Sequence, residues 1–373
     1  MKDVFNLPLI ELTAQHIASH YLDFDRKTFI AVASDDIENR ELKDRANQIC
    51  IALTQCLPND YPTAVNVLLA TLQPLSDNQL LDDLTSDDSG LLGWIILPMS
   101  QFVGEQGVQH LALSMTALQA MTKRFSSEFG IRYLLIKQPQ ACLTVLHSWL
   151  SHPCYHVRRL ISEGTRPLLP WAMQLPEFKH DPTPILPLLA ALKDDTSEYV
   201  RRSVANNLND IAKNQPDLVA EIAGQWLKNA DKNRQKLVKH ACRTLIKQGH
   251  SETLAHFGYL PIDRLDTTLS LTSSKVEFGQ KQQLTASIKN TSTTATKVLL
   301  DYVMYHQKAN GKLAPKVFKW KTFELQPNQQ VTLTKHHAFV AISTRKYYKG
   351  EHKVALKING TELEPQTFDL VMP

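Results

Sequence analysis

A chain of 373 residues, 43% hydrophobic and 21% charged, has the composition of a folded protein with room for two domains and a core in each. Its most apolar run, Leu91 to Val103, is too short to span a bilayer and contains Pro98, which excludes a membrane-embedded class. The five cysteines (Cys50, Cys56, Cys142, Cys154, Cys242) are scattered without a Cys-x-x-Cys pair, and the N-terminus lacks a signal-peptide pattern, so a cytoplasmic protein with reduced thiols and no zinc site is expected.

The net charge of +4 is unevenly placed: residues 263–373 hold 16 Lys plus Arg against 9 Asp plus Glu, while residues 1–262 hold 25 against 28. A basic C-terminal module on a near-neutral remainder points to an anionic partner, most commonly nucleic acid. A solubilising lysine-rich surface would give the same count.

From residue 7 to about 256 the pattern is helical. Apolar residues recur at three and four through Leu42, Ala46, Ile49, Leu53 and Leu57, and again through Ala64, Val67, Leu68 and Leu72. Asp23 to Asp25, Asn59-Asp60, Asp181-Pro182-Thr183 and Asp194 to Ser197 read as turns or N-caps. Leu75 to Gly90, rich in Asp and Ser, reads as a long surface loop. The short connections favour antiparallel helix pairs.

A repeat becomes legible from about residue 129. Tyr155-His156-Val157-Arg158-Arg159 is echoed about 43 residues later by Tyr199-Val200-Arg201-Arg202, with Ile131-Arg132 and Leu237-Val238-Lys239 at corresponding places. This predicts an α-solenoid of HEAT type over 1–260. Arg159, Glu163 and Arg166, and again Arg202, Asn206 and Asp210, fall at helical spacing and form polar stripes that interleave guanidinium groups with carboxylates. Such a face suits a polyanion with something cationic in it.

After Gly258-Tyr259-Leu260-Pro261 the period changes to two. Leu269–Thr272, Leu284–Ile288, Val298–Tyr305, Val317–Phe323, Val331–Thr334 and Val354–Ile358 read as strands, with Phe339–Ile342 as a seventh. Phe278-Gly279, Asn290-Thr291-Ser292, Asn310-Gly311 and Asn359-Gly360 mark the turns. Seven short strands over 263–373 predict an immunoglobulin-like β-sandwich, here without a disulfide.

Four motifs in this order, Trp94 to Val103, Arg124 to Arg132, Tyr155 to Trp171 and Tyr199 to Asp210, resemble those of the AlkC branch of the HEAT-like DNA alkylation-repair glycosylases, relatives of AlkD. The resemblance covers nearly the whole chain, the appended sandwich included. It implies excision of cationic N-alkylated bases from duplex DNA, chiefly 3-methyladenine with 3-methylcytosine as a second substrate, without turning the base into a deep pocket. By the same resemblance Glu128, Glu163, Asp210 and Trp171 surround the lesion, and Arg159 and Arg166 engage the DNA backbone.

The chemistry asks for such residues. A base carrying a positive charge leaves readily, so the enzyme has only to stabilise an oxocarbenium-like sugar and admit water, which carboxylates can do. Cations must flank those carboxylates beside phosphates, and Arg159, Arg166 and Arg202, with Asn206, are the DNA-binding candidates on the helices. In the sandwich the candidates for a DNA clamp are Lys316, Lys319, Lys321, Arg345 and Lys346, within a set that includes Lys308, Lys312 and Lys349. No lysine is placed as a Schiff-base nucleophile and no metal-ligand spacing occurs, so a monofunctional enzyme without a cofactor, acting as a monomer on double-stranded DNA with no obligatory protein partner, is expected.

Each residue also has a plainer reading. Glu163 can pair along its helix with Arg159 or Arg166, Asp210 can lie on a solvated face, Glu128 can cap the next helix, and Arg158 and Arg201 can pair with Asp194 or Asp195. Gly164, Pro167 and Pro170 should break the helix before Trp171 and expose its indole, whereas Trp94, Trp149 and Trp226 are left to the core. A non-catalytic HEAT scaffold and a bilin-lyase-like HEAT protein are the competing functions.

Overall fold

The computed structural model describes residues 2–74, 78–80 and 85–372. Among them, sixteen α-helices run from Leu7 to His256, and strands begin at Leu265. The helix starts follow the local chemistry expected of them. Asp25 accepts from the Lys27 and Thr28 amides and Asp60 from the Thr63 amide, so each carboxylate satisfies donors that the first turn leaves open. Asp181 and Asp195 do the same in turns, accepting from Thr183 and Ser197. Of the Leu75–Gly90 loop, residues 75–77 and 81–84 lie outside the described residues; Asp87 bridges Gly90, and Leu91 bridges Leu72.

The repeat has a structural signature. The helix Tyr155–Gly164 packs on Glu198–Ile211, which packs on Lys232–Ala241. Their apolar faces, Val157, Leu160 and Ile161 against Val204 and Leu208, are fully or almost fully buried. In both Val-Arg-Arg copies the first arginine turns back to the preceding loop: Arg158 donates to the carbonyls of His152 and Pro153, Arg201 to those of Asp195 and Thr196. Arg158 also forms the expected ion pair with Asp195, at 2.6 Å, but Arg201 takes only carbonyls, and the Asp194 carboxylate goes to Arg234 at 2.6 Å. The first arginine therefore pins the loop before its helix, and in the first copy also ties to the next repeat through Asp195; the second arginine pairs with carboxylates, Arg159 with Glu128 and Glu163 and Arg202 with Glu198. Asn207 adds a fully buried tie, donating to the Ser162 carbonyl and the Thr165 hydroxyl.

The C-terminal sandwich has nine strands: β1 Leu265–Leu271, β2 Lys275–Glu277, β3 Lys281–Asn290, β4 Thr296–Gln307, β5 Leu313–Leu325, β6 Gln330–Ala338, β7 Gly350–Ile358, β8 Thr361–Glu362 and β9 Gln366–Val371. One sheet has the order β1-β3-β6 and the other β2-β9-β7-β4-β5, with β8 on β7. Alternating residues of both sheets fill the core, Leu284, Ala286 and Ile288 from one against Tyr302, Met304, Leu356 and Phe368 from the other. Asn359 and Gly360 both have positive φ, the requirement of the two-residue turn that joins β7 to β8.

Two expectations are corrected here. Phe339–Ile342 is not a strand: β6 ends at Ala338, and the Phe339 ring is a fully buried core plug while its amide donates to the Gln280 carbonyl. Three strands have no counterpart in the sequence reading: β2 at the sheet edge and β8 on β7, of three and two residues, and β9, which lies between β2 and β7; with the six expected ones they make nine.

Helix gives way to strand between His256 and Leu265, but the compact units divide elsewhere. One comprises residues up to Gln215 with Ala230–Ala241; the other comprises Pro216–Asn229 and Cys242–Pro373. Within the second, Leu254 and Tyr259 pack with Leu299 of β4, and Lys357 donates to the Lys247 and Gln248 carbonyls. Gly249 lies so close to Gly360 that a Cβ on Gly249 would come within 2.6 Å of the Gly360 backbone. The helices from 216 to 227 and from 243 to 256 therefore belong with the sandwich as a packed body.

Candidate functional site

A cavity of about 1030 Å³ in the first unit has Glu128, Arg159, Glu163 and Arg166 on its wall, with Trp94, Phe125, Trp171 and Tyr199 beside them. Glu163 sits in the last turn of the Tyr155–Gly164 helix, whose apolar side is locked into the repeat core, so its carboxylate is held with little freedom. Glu128 lies in the bend just before the helix Ile131–Lys137. Arg166 and Trp171 come from the loop that follows Gly164.

These side chains form a row of alternating charge. Arg159 bridges Glu128 at 2.8 Å and Glu163 at 3.5 Å; Arg166 bridges Glu163 at 2.7 Å and Asp210 at 2.9 Å; Lys213 reaches the other Asp210 oxygen at 3.0 Å. Two serines complete it. Ser126 donates to Glu128 at 2.5 Å, and Ser203, on the second repeat, donates to Glu163 at 2.6 Å. Glu163 is 5% exposed and Asp210 2%, so both would be destabilised as isolated charges; the guanidinium forks make them tolerable. Burial pushes the Glu163 carboxyl up, but Arg159 and Arg166, with the Ser203 hydroxyl, outweigh it and hold the group below the usual carboxylate range. The same carboxylates raise Arg166 and Arg159 despite their burial.

Trp171 is 60% exposed and adopts φ +67, a left-handed conformation unusual for a bulky residue. The loop that forces it is closed by the Leu175 amide on the Pro167 carbonyl and the Ala172 amide on that of Leu169. The indole thus projects at the cavity, as the Gly164, Pro167 and Pro170 spacing suggests. Tyr155 and His156, also on the lining, each meet the Tyr199 ring edge to face, and the Arg159 guanidinium lies 4.6 Å over the Tyr199 ring.

The structure brings together Glu128, Glu163, Asp210, Arg159, Arg166 and Trp171. Asp210 stands behind Arg166 rather than on the cavity wall, and it is buried, not on a solvated face. Glu128 serves Arg159 and Ser126; Gly130, at the start of the next helix, has no side-chain cap. Glu163 does pair along its own helix with Arg159 and Arg166. Those two guanidinium groups, expected on DNA phosphate, are ion-paired with carboxylates in this structure. Arg202 is exposed and paired with Glu198 at 3.3 Å, and Asn206 accepts from His240; neither lines the cavity.

In the sandwich Lys316, Lys319 and Lys321 are exposed on edge strand β5, but not on one face: Lys319 is in register with Asp301, whereas Lys316 and Lys321 are opposite the core residues Met304 and Leu300. Arg345 is half-buried against His306, and Lys346 is exposed near Tyr348.

Trp94, expected in the core, lines the cavity and packs on Phe125. Trp226 is half-buried, and Trp149 is core as expected. Ser126, Ser203, Lys213 and the tyrosine pair escaped the sequence reading of the site. The tyrosines did leave a trace, since each leads a Val-Arg-Arg copy.

No helix among the described residues is long and apolar enough to cross a membrane. Residues 266–372 match the family described as "Uncharacterised protein YhaZ, C-terminal Ig-like domain". YhaZ of Bacillus subtilis is 34% identical over 362 residues, 96% of either chain. A solved structure of Pseudomonas fluorescens alkylpurine DNA glycosylase AlkC, bound to DNA containing an abasic site analog, matches with a TM-score of 0.85 and 32% identity over 99% of each chain.

Proposed function

The chain belongs to the AlkC-type branch of the HEAT-like DNA alkylation-repair glycosylases, and from that premise we propose that it removes cationic N-alkylated bases from duplex DNA by hydrolysing the N-glycosidic bond. The lesions assigned are 3-methyladenine first and 3-methylcytosine second. The observation that carries this reading is the alternating row Glu128–Arg159–Glu163–Arg166–Asp210, four of whose members share a cavity wall with an open indole.

A cationic base needs no protonation to leave. As its bond to the sugar stretches, positive charge develops on the deoxyribose, and Glu163 and Glu128 are the groups that meet it. At about 4 Å and an effective dielectric of about 20, one such pair gains on the order of 4 kcal/mol. Carboxylates already held by guanidinium forks need not reorganise as the charge appears. One of them orients the water that attacks the sugar, and the Trp171 face packs against the cationic base or the sugar. Asp210 acts one step back, fixing Arg166. The cavity and the exposed Trp171 indole on it support attack on a base that stays stacked.

Because Arg159 and Arg166 are engaged with carboxylates, phosphate contacts fall to other cations: Arg202, Lys213 and, in the sandwich clamp, Lys316, Lys319, Lys321, Arg345 and Lys346. The working form is a monomer on double-stranded DNA, leaving an abasic site.

The test is release of free bases from methylated duplex, resolved by chromatography. The full chain should release 3-methyladenine, and Glu163→Gln should lower kcat by about 10²–10³ with DNA affinity little changed. No released base at excess enzyme, with binding intact, would favour the scaffold reading. Full activity in both Glu163→Gln and Asp210→Asn would overturn the site while leaving the function.

A further inference from the structure

Arg132 is the largest fully buried side chain among the described residues, and its charge makes that costly. It has no direct carboxylate partner in the hydrogen bonds of the described residues. Its Nε donates to the Met173 carbonyl at 2.7 Å and its Nη1 to the Gly164 carbonyl at 3.0 Å, while Nη2 has no hydrogen-bond partner. An apolar side chain of similar size would fill the space without a desolvation penalty, so the cation must serve another purpose.

The two acceptors indicate that purpose. Gly164 is the last residue of the helix that carries Glu163, and its carbonyl belongs to the negative end of that helix. Met173 lies two residues beyond Trp171. Between them runs the loop that supplies Arg166, the bridge between Glu163 and Asp210, and Trp171, in its left-handed conformation. A forked donor spans two diverging carbonyls, which a single ammonium cannot do. The same joint is tight from the other side: a Cβ on Gly164 would meet the Ile131 side chain at 2.8 Å. Burial and the nearby Arg166 charge lower Arg132, and Glu128, Asp210 and Glu163 oppose them as attractive charges.

We propose that Arg132 is a positioning residue: by holding the Gly164 and Met173 carbonyls it clamps both ends of the active-site loop, fixing Arg166 between its carboxylates and Trp171 at the cavity. The kinetic part of this inference rests on the glycosylase reading; the conformational part does not.

Two measurements on the full chain test it. The first is acrylamide quenching of Trp171, taken as the difference between each protein and its Trp171→Phe counterpart. The second is steady-state kinetics of base release from methylated duplex. Arg132→Met should remain folded by circular dichroism, make the Trp171 signal more quenchable, and lower kcat between about tenfold and a hundredfold with KM nearly unchanged. Arg132→Lys, which keeps the charge and reaches one carbonyl, should fall between in both measurements. An unchanged Trp171 signal in Arg132→Met overturns the clamp. If that variant does not fold, Arg132→Lys decides: wild-type quenching and wild-type kcat in it overturn the need for a fork. A wild-type protein that releases no base overturns the glycosylase reading and leaves the quenching result standing.

Discussion

Acidification should open the sandwich well before it affects an ordinary β-domain. His306 and His337 are 6% exposed and His352 is fully buried, and the His306 ring lies 5.6 Å from His337 and 5.8 Å from His352. Each has one ring nitrogen without a hydrogen-bond partner. Arg345 donates to His306 Nε2, so that nitrogen must stay unprotonated; Tyr302 bonds His337, and the Gly350 carbonyl accepts from His352. Burial first, and then Arg345 and the neighbouring rings, push His306 down to about 3 and His337 down to about 4; burial lowers His352, with Asp369 the one attractive charge on it. An unfolded histidine takes up its proton near pH 6.5, so between that value and the folded one the unfolded state binds more protons, and stability is lost as pH falls. At pH 4.5 each of the two lower-lying rings forfeits about 2.5 kcal/mol, on the order of 5 together. That rivals the whole stability of a small domain, about 5–15 kcal/mol. Asp301, which burial raises, opposes part of this loss. The assay is hydrogen exchange of β4, β6 and β7 amides in the full chain at pH 7.5, 6.0 and 4.5, corrected for intrinsic rates. Protection falling by less than about 1 kcal/mol across that range would refute the reasoning.

Other consequences are sharper in outcome than in magnitude. Arg166→Met leaves Glu163 and Asp210 buried without their shared cation and should cost about 3–5 kcal/mol in urea unfolding; a loss below about 1 kcal/mol would mean that water or Lys213 replaces the fork. Replacing Lys316, Lys319 and Lys321 by Gln should flatten the dependence of log affinity on log salt by about 0.9 for each lysine on phosphate, and an unchanged slope removes β5 from the DNA contact. Gly249→Ala, at φ +88 and against the Gly360 backbone, should lower stability by about 1–3 kcal/mol, read as a shift in melting temperature; no shift would show that the contact yields freely.

What was legible in the sequence was what repeats. The Val-Arg-Arg copies announced the stacked helices, and period-two runs with Asn-Gly turns announced the sandwich. The helix breakers before Trp171 placed its indole. Direction was not legible. Spacing put Arg159, Glu163 and Arg166 on one face, yet could not say whether the guanidiniums point at a ligand or at their own carboxylates, because that depends on Glu128 and Asp210, 31 residues before Arg159 and 44 after Arg166. Arg202 and Asn206 share the helical stripe of Asp210, but the helix passes from solvent into the core along its length, so the stripe ends buried. Arg132 is marked in the sequence only as the repeat counterpart of Arg158 and Arg201; its burial and its two carbonyl acceptors leave no pattern in a single chain.

The division into two packed bodies has a topological consequence. The backbone passes from one to the other three times, at 215/216, 229/230 and 241/242, so no single break separates them. Expressing residues 263–373 without the preceding helices would strip Lys357 of its acceptor carbonyls and bare Leu299. A truncation acts at one point of the backbone, whereas these bodies are joined at three, so removing the strands alone leaves the helices that pack on them behind.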